Sequence, residues 1–160
     1  MQKNKVFLSA GIIAVLAVAA KVFLRVFRIA GSSMTPTLHD GDLVVCVGSK
    51  RPEKGKIALI RRGSDVMVKR IIAMQGDNIR IENTGEVFLD GVKLEEPYLC
   101  GKLTPEVPIS LTVPKGCIFV MGDNRADSVD SRSRRIGYLH RHAVLGIAVV
   151  AITPSGFRSL

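Results

Sequence analysis

Ser33 and Lys69 are the residues of this 160-residue chain whose types and settings point to chemistry. A serine hydroxyl is a weak nucleophile at neutral pH until a base takes its proton, and a lysine is that base only when burial keeps it neutral. Ser33 sits in Gly31-Ser32-Ser33-Met34-Thr35-Pro36, where a glycine and two small hydroxyl residues suit a tight exposed turn and Pro36 fixes φ. Lys69 lies downstream in the run Asp65 to Ala73, where a period of two places Met67, Lys69, Ile71 and Ala73 on one face. Apolar neighbours there disfavour the ammonium ion and lower its pKa toward neutrality. Taken alone, the serine reads as a turn or cap residue and the lysine as an edge residue with its head in water. The pair gains meaning from what surrounds it.

The elements that must hold the pair are β-rich. Beyond residue 40 the chain alternates short apolar runs with turn residues, which predicts a mainly β domain. Expected strands are Leu43 to Val47, Ile57 to Arg61, Asp65 to Ala73, Asn78 to Glu82, Glu86 to Leu89, Val92 to Leu94, Cys117 to Met121 and Leu145 to Ile152. Asp90 and Gly91 tolerate positive φ and predict a two-residue hairpin turn. Pro97, Pro105, Pro108 and Pro114 punctuate the middle as loop or edge, and no internal repeat is present.

With 47% hydrophobic residues the chain has room for one anchor segment and one compact domain. The expected division is a stub and anchor over 1–25 and a β-rich catalytic domain over 26–160. Val6 to Ala20 carries no charge, and a helix extended to Leu24 would span about 28 Å, close to the hydrocarbon core, with Lys21 snorkelling to the interface. A single membrane span fits this run. A cleavable signal peptide fits it too, because Lys3 and Lys5 give a basic start and Ala17-Val18-Ala19 a small-residue junction. Lys3 and Lys5 on one side balance Lys21, Arg25 and Arg28 on the other, so charge does not orient the segment.

The net charge of +9 is scattered, aromatics are 5% and Trp is absent, so no stacking platform accompanies it and nucleic acid is not an expected partner. Anionic headgroups or a plain solvated surface account for the charge. Cys46, Cys100 and Cys117 lack CxxC or Cys/His metal spacing and read as buried small residues. His39, His140 and His142 form no HExxH pattern and are expected at surface or capping positions. Neither metal nor cofactor is expected.

Ser33-Met34-Thr35-Pro36 resembles the nucleophile motif of type I signal peptidases, membrane-bound serine proteases with a Ser/Lys dyad. Gly41-Asp42-Leu43-Val44 resembles that family's second motif, and Lys69-Arg70-Ile71-Ile72 with Gly76-Asp77 its lysine motif. Gly122-Asp123-Asn124-Arg125 through Ser128, Asp130, Ser131 and Arg132 resembles its last and longest. The blocks keep family order and spacing over residues 31–146.

The resemblance implies a compact, LexA-like β catalytic domain following one transmembrane helix. It implies an endopeptidase that removes signal peptides from secreted pre-proteins, cutting after small residues. Its partners would be those pre-proteins and membrane lipids, and its place the cytoplasmic membrane, single-pass, with the catalytic domain on the extracytoplasmic side. Transferred residue by residue, Ser33 is the nucleophile, with its backbone N–H toward the oxyanion, and Lys69 the general base. Ser128 is the hydroxyl that orients the lysine, since a neutral amine needs an acceptor for its own N–H. Asp130 and Arg132 form an ion pair holding the loop, with a surface pair of little worth as the plainer reading. Met34, Pro36, Arg70, Gly122 and Asp123 are structural residues near the site.

Two departures stand out. Some family members place an oxyanion-binding hydroxyl two residues before the nucleophile, where this chain has Gly31; Ser32 is one place too late. The long motif usually reads Arg-Asp-Asn-Ser, whereas here Arg125 precedes Ala126, Asp127 and Ser128. The competing readings are a self-cleaving LexA-type Ser/Lys protease, against which the apolar segment and the long motif argue, and a membrane-tethered β-domain that binds partners without chemistry.

Overall fold

The computed structural model describes residues 24–48, 51–99 and 103–160. The expected anchor through residue 23, and Cys100, lie outside the described residues. Among the described residues no helix is long and apolar enough to cross a membrane.

Among the described residues, twelve strands build two antiparallel sheets. They are β1 (Leu24–Arg28), β2 (Leu43–Val47), β3 (Ile57–Arg62), β4 (Asp65–Met74), β5 (Asn78–Ile81), β6 (Val87–Leu89), β7 (Val92–Lys93), β8 (Ile109–Thr112), β9 (Cys117–Met121), β10 (Leu139–His140), β11 (Val144–Thr153) and β12 (Gly156–Ser159). The larger sheet runs β1-β2-β11-β3-β4-β9-β10 with β12 paired to β11; the smaller runs β7-β6-β5-β8. The mainly β expectation holds.

Period-two patterning explains the sheets. Ile79 and Ile81 of β5 are buried while Asn78 and Arg80 are exposed, so one face of the small sheet covers a core and the other meets water. Asp90 (φ 49°) and Gly91 (φ 83°) make the β6–β7 turn in the left-handed conformation that the right-handed strand twist favours. Ile29, Met34, Leu38, Val44 and Leu59 form one apolar cluster. Ile60, Ile71, Ile118 and Val120 form another, and Ile72, Ala73, Ile79, Phe119 and Met121 a third beneath the small sheet. Each such side chain withdrawn from water contributes roughly 1.5–3 kcal/mol.

Four strands were not expected. β1 opens at Leu24, ahead of the expected boundary at 26, and pairs Leu24 with Val47 and Arg25 with Cys46; no turn residue separates it in sequence from the preceding apolar run. β8 lies between Pro108 and Pro114 and is held by pairing with β5. β10 and β12 are too short or too exposed to show alternation.

One face assignment is corrected. The pairing of β4 with β9 shifts register between Ile71 and Ala73. Ile71 opposes Val120 while Ala73 opposes Phe119, and those two β9 residues lie in different clusters. The shift turns Ala73 away from the face of Lys69 and Ile71, because an extra residue in one strand reverses the alternation beyond it.

Candidate active site

The turn that carries Ser33 is a loop closed at its base and pinned from within. Ile29 N–H donates to Asp42 O (2.8 Å) and Gly41 N–H to Ile29 O (3.0 Å), which joins the two ends. Met34 and Leu38 are 2% and 0% exposed and drop into the cluster below, so Ser33 stands half-buried between fixed neighbours.

Lys69 is delivered by β4 at the point where that strand gains its second partner. β3 pairs with β4 from Asp65 to Arg70, but β9 pairs with it only from Arg70 onward. Lys69 is 5% exposed and its Nζ is hydrogen-bonded to Ser33 Oγ at 2.5 Å. Burial holds its pKa below the ordinary lysine range; Asp130, Asp123 and Asp127 pull it upward, Arg132 pushes it down, and burial prevails.

β9 ends against the Ser33 turn. A Cβ at Gly122 would lie 2.2 Å from Ser128 Oγ and 2.4 Å from Ser33 O, so only glycine admits this approach. Ser128 Oγ is buried beside it and makes no hydrogen bond, to Lys69 or to any other described group. Asp130 is almost wholly enclosed. It accepts from Arg132 Nε (2.8 Å) and Nη2 (2.9 Å) and from the Gly122 N–H (2.9 Å). Burial alone would raise this carboxyl, but the Arg132 and Gly122 bonds outweigh it and hold the pKa below the usual carboxylate range. The Ser128 hydroxyl adds to that lowering without reaching full hydrogen-bond geometry.

Arg70 points to the opposite face from Lys69 and meets Asp123 through two bonds, Nε to Oδ1 at 2.8 Å and Nη2 to Oδ2 at 2.5 Å. Asp123 also accepts from Thr37 Oγ1 at 2.5 Å, which fastens the loop beyond Pro36. Pro36 itself is exposed. The Arg70 guanidinium lies 3.9 Å from the Tyr98 ring centroid, the Tyr98 hydroxyl donates to Glu96 Oε1 (2.6 Å), and Glu96 pairs with Arg125. Glu96, Tyr98 and Thr37 were missed by sequence reasoning; the only signal was an acidic pair beside Pro97 in a stretch read as loop.

The departures acquire partners. Gly31 N–H donates to Asp40 Oδ1 at 2.7 Å, the Ser32 hydroxyl donates to Asp127 Oδ2, and the Ser33 N–H has no acceptor among the described residues. The shifted carboxylate thus holds the residue preceding Ser33.

A cavity of about 270 Å³ opens beside the pair, bounded by Phe27 to Ala30 on one side and Val66 to Lys69 on the other, with Ser33 and Met34 between. Away from the site, His39 and His140 are exposed, and His140 Nδ1 accepts from the His142 N–H, a cap. Cys46 is buried, which pushes its thiol pKa up to about 11, and Cys117 is half-buried.

A family model described as "Signal peptidase, peptidase S26" matches residues 3–153. The chain is 32% identical to signal peptidase I of Bacillus amyloliquefaciens over 96% of its own length and 89% of the relative's. It is 34% identical to signal peptidase I U of Bacillus subtilis (84% and 79%) and 33% identical to signal peptidase IB of Staphylococcus aureus (82% and 79%). A crystal structure of a signal peptidase I from Enterococcus faecalis aligns over 61% of this chain and 96% of that one, with a TM-score of 0.53 and 28% identity. A serine and a nearly dry lysine in contact, on a β scaffold similar to that of the Enterococcus faecalis structure, agree with the sequence match, and the chain belongs to the signal peptidase family, peptidase S26.

Proposed function

We propose that Ser33 and Lys69 are the catalytic pair of this signal peptidase, and that it removes signal peptides from secreted pre-proteins by acyl transfer. The observation that carries the reading is the 2.5 Å contact between Lys69 Nζ and Ser33 Oγ with the lysine 5% exposed. With the amine neutral, the hydroxyl donates its proton to Nζ as Oγ attacks the carbonyl preceding the cut. Lys69 then delivers that proton to the leaving amine, and water, deprotonated by Lys69, releases the acyl group from Ser33.

The segment before the cut lies extended between Phe27 to Ala30 and the edge of β4 from Val66 to Lys69, where main-chain groups lack a second strand partner among the described residues. The small cavity and the buried Met34 favour small side chains beside the cut. Ser128 turns to accept a Lys69 N–H when substrate arrives, which gives its buried hydroxyl the partner it lacks. Asp130 and Arg132 hold the loop that carries it. The apolar run preceding Leu24 is a single membrane anchor that keeps the domain on the extracytoplasmic surface. Exposed Leu24 and Val26 on the adjoining strand suit contact with that surface.

The test is incubation of the detergent-solubilised protein with a secretory precursor, with mass mapping of the cut. A single cut after a small residue, lost in Ser33→Ala and Lys69→Ala, is expected. Full activity in either variant would sink the assignment.

A further inference from the structure

The Ser32–Ser33 peptide group is held from its carbonyl side. Ser32 O accepts from the Thr35 N–H (3.0 Å), from Thr35 Oγ1 (2.8 Å) and from Asn124 Nδ2 (3.3 Å). Asn124 Nδ2 also donates to Thr35 Oγ1 (3.0 Å), so the amide and hydroxyl act in relay, and the Asn124 N–H donates to Ser33 O (3.1 Å). The bond between Ser32 and Ser33 is trans, which makes its C=O and N–H point in opposite directions. Fixing the oxygen therefore fixes the direction of the Ser33 N–H, and that N–H has no acceptor of its own among the described residues.

We infer that Thr35 and Asn124 are positioning residues for the oxyanion hole, which they aim through the Ser32 carbonyl without touching substrate. This rests on the reading of Ser33 as nucleophile. Gly31 has no side chain to bind the developing charge, so the aim of the Ser33 N–H governs how well the tetrahedral intermediate is stabilised. Donors on the carbonyl also polarise the peptide group and make its N–H a better donor. Asp127 supports the same peptide from the other end of Ser32 by holding its hydroxyl.

The experiment compares wild type, Thr35→Val, Thr35→Ser, Asn124→Ala and Ser33→Ala on one precursor peptide, with kcat and KM resolved, the pH profile recorded and each fold checked by thermal melting. Thr35→Val and Asn124→Ala should each lower kcat about tenfold, short of the roughly hundredfold or greater loss that removing a donor causes. KM should stay within about twofold and the acid midpoint of the profile should not move, because Lys69 is untouched. Thr35→Ser, which keeps the hydroxyl, should restore kcat. Unchanged kcat in both Thr35→Val and Asn124→Ala, or an equal loss in Thr35→Ser, would overturn the positioning role. Cleavage surviving in Ser33→Ala would instead overturn the nucleophile assignment beneath it.

Discussion

Arg125 and Glu96 meet in an ion pair from which water is nearly excluded, each side chain being 6% exposed. The pair ties the segment before Pro97 to the loop that follows β9, so a stretch with no strand of its own is fixed against the loop that carries Ser128. Removing one partner leaves the other charge buried and unmatched. Glu96→Ala is expected to lower stability by about 3 kcal/mol, read as a shift in the urea midpoint, with Glu96→Gln falling between it and wild type. A loss within measurement error would mean that Arg125 finds water once Glu96 is gone.

Gly122 is the tightest steric point of the site. Because an added methyl would meet both Ser33 O and Ser128 Oγ, Gly122→Ala must move β9 or the Ser33 turn. The expected outcome is a stability loss of about 1–3 kcal/mol and a fall in kcat larger than that loss explains, measured on protein still folded at the assay temperature.

Cleavage should rise with pH as Lys69 loses its proton, with a midpoint below the ordinary lysine range because burial disfavours the ammonium ion. Asp127 raises the Lys69 pKa, so Asp127→Asn should move that midpoint to lower pH. A midpoint that stays in place, or moves upward, would contradict the charge coupling.

Lys69 should weaken the fold it serves. A lysine whose folded pKa lies below its unfolded value is disfavoured in the folded state. The penalty is full below the folded pKa, shrinks between the two values and vanishes above the unfolded one. Lys69→Met should therefore melt higher at neutral pH, on the order of 2 °C, with the gain fading as pH approaches the ordinary lysine range. An inactive variant that melts lower at every pH would show that the Ser33 hydrogen bond outweighs the desolvation of the amine.

How far the sequence carried depended on whether a feature was local. β2 and β9 match their expected bounds residue for residue, because Leu43 to Val47 and Cys117 to Met121 are short apolar runs between turns. β4 was legible through Ile71 and misread beyond it, since a bulge depends on the partner strand and leaves no mark in the strand's own alternation. The contact of Ser33 with Lys69 was legible through motif order and spacing. The grip of Asn124 and Thr35 on Ser32 was not, because it is made by a loop returning from the far end of β9, and Thr35 stood out only as a member of the serine motif.

The late arrival of β9 beside β4 exposes the protein to a hazard. From Asp65 to Lys69 one edge of β4 has no strand partner among the described residues, and such an edge accepts any extended chain, including another copy of this one. Its brevity and the exposed Asp65 carboxylate at its open end limit that pairing to short guests. Asp65→Val, by removing this charged gatekeeper, would favour edge-to-edge pairing of two copies, seen as a concentration-dependent rise in mass by light scattering.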